Sequence, residues 1–162
     1  MLTDSEYLTS FLESGSADVV TMICVLPHLI DPVEALKAMK ANANFHYTFQ
    51  KLPMWSFATL LEAVFPGARS RVLGSDHTHV FTEESLSWLE EKVGMRRVAS
   101  WSFGSDSLDL IRKLSQQLEQ TESTEDFKAL ANGQFRTLAE RFQESIDEVG
   151  QSSEIHVLWA ID

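Results

Sequence analysis

The sequence predicts an α/β fold, and three observations carry that expectation. Residues Ala17 to Leu26 read ADVVTMICVL, an unbroken apolar and β-branched run of the kind expected for a strand covered on both faces. Asp31, Pro32 and Glu34 follow at once: an acidic N-cap, a proline at the first helical position and a capping-box partner at the third. Residues 44–50, NFHYTFQ, then alternate in the strand manner, with Phe45, Tyr47 and Phe49 on one side and His46 and Thr48 on the other. Strand, helix and strand in succession favour a mostly parallel sheet with right-handed crossovers.

The remaining elements extend the pattern. Asp4 to Ser14 places Tyr7, Leu8, Phe11 and Leu12 at helical spacing before Gly15, which predicts a short leading helix. After Asp31 the helix carries Val33, Leu36, Ala38 and Met39 toward the core. The stretch MWSFATLLEAVF is helical up to Pro66 and Gly67, and GSDHTHVF reads as a polar loop. Thr82 caps EESLSWLEEKV, with Leu86, Leu89 and Val93 on one face and Gly94 at the end. MRRVASWSF predicts a strand, and a helix from about Ser107 to Leu118 leads into the polar linker EQTESTED. Phe127, Ala131, Phe135, Leu138, Phe142, Ile146 and Val149 recur at steps of three or four, a single apolar stripe on one long helix that runs through Gly133. SEIHVLWAID closes the chain as a strand.

With 162 residues the chain is expected to form a single domain, 1–162, organised as a leading helix (1–16), a strand-helix core (17–103) and helices with a closing strand (104–162). A composition of 44% hydrophobic and 23% charged residues is ordinary for a globular protein, and no apolar run reaches the length of a membrane span. The first residues lack the basic and apolar regions of a signal peptide, and one cysteine, Cys24, allows no internal disulfide; both fit a cytoplasmic setting. Thirteen Lys and Arg against 24 Asp and Glu give a formal charge of −11, which argues against nucleic acid and against anionic membrane as partners. The two positive segments, ARSRV and KVGMRR, read as solvated surface.

Open α/β sheets bind ligands beyond the carboxyl ends of their strands, which directs attention to Cys24, Val25, Leu26, Pro27 and His28. Here Asp18, Val19, Val20, Thr21, Met22, Val25, Leu26, His28, Asp31 and Pro32 resemble the fourth strand and following loop of class I S-adenosylmethionine-dependent methyltransferases, in particular the small-molecule branch. The segment HTHVFTEESLSWLEEKVGMRRV, His77 to Val98, is similar to the central segment of that branch, as are SFGSDSLDL and SSEIHVLWA further on. The resemblance implies the C-terminal part of a Rossmann-like sheet with its last strand antiparallel, S-adenosylmethionine as cofactor and a small-molecule methyl acceptor. It also implies cofactor contacts at Met22, Ile23, Cys24, Val25 and His28, and chemistry at His28, His77 and His79. Asp76, Tyr47, Trp55 and Phe57 stand as further pocket residues.

The chain departs from the family pattern in two places. Cys24 and Pro27 stand where the family usually carries histidine and glutamate. The seven glycines, none closer than seven residues to the next, form no G-x-G-x-G turn to grip the cofactor. The sequence is therefore expected to be a truncated form with little activity alone, whose first strand becomes an apolar edge covered by a second copy in a homodimer, by the leading helix or by another chain. Two rivals remain open: a non-catalytic interaction or dimerisation module, and a metal-assisted hydrolase built on His28, His77 and His79.

Overall fold

The computed structural model describes residues 5–65, 70–74, 76–121 and 125–161. Its elements run α1 (Ser5–Ser14), β1 (Ala17–Ile23), α2 (Pro32–Ala41), β2 (Phe45–Pro53), α3 (Phe57–Val64), α4 (Glu83–Val93), β3 (Arg96–Phe103), α5 (Asp106–Glu119), α6 (Glu125–Asn132), α7 (Gln134–Glu148) and β4 (Glu154–Ala160), with a 3-10 turn at Leu26–His28. The four strands form one mixed sheet in the order β1-β2-β4-β3. β1 and β2 are parallel, with Val19 opposite Tyr47 and Met22 opposite Gln50. Ile161 donates its N–H to His46 O and Met54 donates to Ser153 O, so β4 runs against β2, as expected for the closing strand.

The chain divides into two compact units: residues 1–53, 76–101 and 155–162, and residues 54–75 and 102–154. In the first, α1 packs on α2 and α2 on α4. Leu12, Leu26, Leu36, Met39, Leu52, Leu86, Val157 and Trp159 are its buried centre. Asp31 accepts the N–H of Glu34 at 3.0 Å, as the cap predicts. Glu34 does not reach back; its carboxylate bonds Lys37 at 2.7 Å instead. α4 closes its expected cap with Thr82 and Ser85, and Gly94 ends it in the left-handed conformation at φ 76°. Asn42 ties down α1, donating to Leu12 O at 2.8 Å and Gly15 O at 2.9 Å.

Several expectations are corrected. β1 is not covered on both faces: Val20 and Met22 are buried, whereas Val19 and Ile23 are 46% and 58% exposed. Phe45 is buried, but from Tyr47 onward the alternation in β2 runs opposite to the aromatic pattern, because Thr48 and Gln50 are wholly buried while Tyr47 is exposed. Thr48 tolerates burial by donating its hydroxyl to Val20 O at 3.1 Å and accepting from the Gln50 amide at 2.6 Å.

The second unit holds α3, α5, α6 and α7. The long terminal helix is two helices, interrupted at Gly133, whose lack of a side chain makes it the weakest point of the run. Its stripe is also not a buried face: Ile146 is buried, but Phe127 and Leu138 are each 58% exposed. The Asp4 start of α1, the stop at Pro66 and Gly67, and residues 122–124 of the linker lie outside the described residues. Two of the arginines read as solvated, Arg71 and Arg97, are spent on ion pairs, while Arg96 is exposed as expected and Arg69 lies outside the described residues. Arg71 donates to Asp109 and Glu154, and Arg97 to Glu90 and Glu83. Among the described residues no helix is long and apolar enough to cross a membrane.

Candidate functional site

The carboxyl end of β1 leads into a sharp reversal. Cys24, a half-buried free thiol, takes φ 53° while its N–H donates to Lys51 O at 3.3 Å, a left-handed conformation that costs energy in a residue other than glycine. Leu26 and Pro27 bury their side chains, and the 3-10 turn they begin delivers His28 to the surface. Leu29 is extended, and Asp31 starts α2.

A second segment, residues 76–79, is laced onto that turn. Thr78 N and His79 N both donate to Pro27 O, at 2.8 and 3.2 Å. The Thr78 hydroxyl lies 2.7 Å from Pro27 O and 2.9 Å from Leu29 O, and 2.9 Å from His79 Nδ1. His28 Nδ1 lies 3.0 Å from Asp76 O, and Asp76 itself takes φ 60°. The result is a close pair of imidazoles: the His28 and His77 rings stand 4.8 Å apart, tilted by 40°. His79 stacks on Phe81 at 6.3 Å. Two left-handed residues other than glycine thus flank one histidine cluster, a concentration of strain of the kind found where position is held for a purpose.

The three histidines named from the sequence therefore come together. Of the residues named for cofactor contact, Met22 turns to the buried side, Ile23 to the exposed side, Cys24 and Val25 are half-buried at the reversal, and His28 is exposed. Tyr47 is the third residue of β2, opposite Val19, and sits toward the start of that strand. Trp55 and Phe57 belong to the second unit, where Phe57 meets Phe142 edge-on. Sequence reading missed Thr78, the residue that binds the two segments. Its type carries no signal, and only its place between two histidines draws notice. Among the described residues no group of three His, Cys, Asp or Glu side chains could hold a metal ion.

The fit to S-adenosylmethionine is partial. Ile23, Cys24 and Val25 lie at and just beyond a strand terminus and are the residues that would line one side of a bound cofactor. The backbone is brought close there by Cys24's own strained turn, not by a run of glycines, and no glycine pair stands near it in the chain. The residues present are thus not a complete cofactor site.

No protein-family model matches the chain, and no curated protein is a significant sequence match. Solved structures do match in shape. Small RNA methyltransferase HEN1 aligns with a TM-score of 0.50 at 11% identity, over 90% of this chain and 14% of that one. A protein described as a sarcosine dimethylglycine methyltransferase from Galdieria sulphuraria aligns with 0.48 at 12% identity, over 94% and 57%. The cyclase SpnF aligns with 0.45 at 8% identity, over 90% and 49%. The chain thus spans little more than half the length of these structures, or less. The mixed sheet with its reversed closing strand and the likeness to HEN1 give the chain a methyltransferase-like α/β fold.

Proposed function

We propose that the chain serves methyl transfer from S-adenosylmethionine to a small-molecule acceptor, contributing the acceptor side and binding the cofactor only weakly by itself. The observation that carries this reading is the histidine cluster at the carboxyl end of β1, where open α/β sheets place ligands. What this chain's residues do there is hold geometry: the Pro27 carbonyl and the Thr78 hydroxyl lock the 76–79 segment against the turn that presents His28. The cofactor, when bound, supplies the methyl group.

The test is a titration of the full chain with S-adenosylmethionine to millimolar concentration, followed by backbone NMR. Saturable shifts confined to Ile23–His28 and 76–79 are expected, together with a thermal stabilisation of about 1.4 kcal/mol at tenfold excess over Kd. Absence of shifts at millimolar cofactor overturns the reading.

A second reading has its own observation. β1 is an edge strand with Val19 and Ile23 in water, which suits an interaction module that pairs with a second copy through that edge. In that case the chain self-associates and ignores the cofactor.

A further inference from the structure

Thr78 has one hydroxyl hydrogen and three close neighbours. Two of them, Pro27 O at 2.7 Å and Leu29 O at 2.9 Å, are carbonyls that can only accept. Oxygen atoms held that close without a hydrogen between them would repel, so the hydroxyl hydrogen lies toward the carbonyls. Thr78 Oγ1 is then an acceptor toward its third neighbour, and His79 Nδ1, 2.9 Å away, must donate. The same reasoning fixes His28, because its Nδ1 faces Asp76 O at 3.0 Å, another carbonyl. A neutral imidazole that carries its hydrogen on Nδ1 has its lone pair on Nε2. Neither Nε2 has a hydrogen-bond partner among the described residues. The His77 ring against His28 restricts that ring's rotation.

We propose that His28 and His79 are two pre-set proton acceptors, each held in the Nδ1–H tautomer, and that the site takes a small acceptor bearing an acidic O–H, such as a phenol. In the step assigned to them the O–H bond breaks, its electron pair stays on oxygen, and the proton passes to Nε2. The imidazolium so formed keeps its Nδ1–H bond to Asp76 O or Thr78 Oγ1, which already accept. Thr78 is the positioning residue, since it selects the tautomer of His79 without contacting the acceptor. This inference rests on the methyl-transfer reading only for the fate of the oxyanion.

The experiment uses the full chain labelled with 15N at histidine. Long-range proton–nitrogen spectra at mildly alkaline pH report the tautomer of each ring. His28 and His79 are expected as Nδ1–H, the reverse of the free side chain's preference. Thr78→Val releases His79 to the common tautomer and leaves His28 unchanged, whereas Thr78→Ser retains both. The Nε2–H tautomer at either ring of the unaltered chain overturns the proposal. The probe 4-nitrophenol then tests proton transfer: a saturable rise in nitrophenolate absorbance is expected, lost in the double variant His28→Gln, His79→Gln. No such rise in the unaltered chain overturns it too. Because ring tautomers are read without cofactor, they hold or fail separately from the cofactor titration.

Discussion

Asp106 Oδ2 accepts twice from Ser153, from its N–H and from its hydroxyl, both at 3.1 Å. The same carboxylate accepts the Ala58 N–H at 3.2 Å on its other oxygen and the Gln143 amide at 3.2 Å. One buried side chain at the start of α5 thus joins the first turn of α3, the middle of α7 and the residue before β4. The second unit hangs on it.

Asp106→Ala removes the acceptor of the buried Ser153 N–H and hydroxyl, while Ala58 N–H keeps Ser56 Oγ and the Gln143 amide keeps Asp147, and is expected to cost roughly 2–4 kcal/mol, read from urea unfolding. Gly104 offers a check at constant chemistry, because a Cβ there would stand 2.1 Å from Asp106 Oδ2. Gly104→Ala is expected to cost roughly 1–3 kcal/mol by displacing the carboxylate. An unchanged midpoint in both variants would show that the hub does not carry the unit.

Glu62 is expected to contribute to the acid dependence of stability. Burial alone would raise its pKa, but the Ser70 hydroxyl and the N–H groups of Leu73, Arg71 and Val72 donate to the carboxylate and hold it below its ordinary value. A carboxyl depressed in the folded state contributes stability fully above the unfolded value, about pH 4.3, and loses it as pH falls through the folded value. The stability gap between the unaltered chain and Glu62→Gln is therefore expected to be constant at neutral pH and to shrink below about pH 4. A gap that grows on acidification would refute this.

Much of the fold was legible because its signals are local. The Asp31–Pro32 start, the Thr82 cap and Gly94 stop each act within four residues, and all three stand as read. The burial of Thr48 was illegible, because the acceptor that satisfies its hydroxyl is Val20 O on another strand. The aromatics Tyr47 and Phe49 pointed the other way. The break at Gly133 was visible as a residue but was outweighed by a stripe whose burial depended on partners that periodicity cannot supply. In the candidate site the histidines could be named, but their hydrogen placement depends on Asp76 O, reached by His28 across 48 residues.

Cys24 tests the strain at the reversal. At φ 53° a β-branched side chain is the least tolerated and glycine the best. Cys24→Val is expected to lower stability by roughly 1–3 kcal/mol, whereas Cys24→Gly leaves it level or raises it by up to about 1 kcal/mol. Thermal unfolding of the two variants side by side decides it; equal losses would mean that the thiol's packing, not its backbone, sets the cost.

The open edge makes the last prediction. Among the described residues β1 has β2 on one side only, and Ile23, 58% exposed, lies at the end of an apolar strand whose outward backbone groups can template another chain. The chain is expected to sediment as a dimer at high concentration. Ile23→Lys places a charge on that edge, and because the side chain is already largely in water the fold should change by no more than about 0.5 kcal/mol. Any loss of dimer in the variant then reports the edge and not unfolding, which circular dichroism verifies on the same sample. If both proteins sediment as monomers across the range, the edge is tolerated in water and the second copy has no part in covering it.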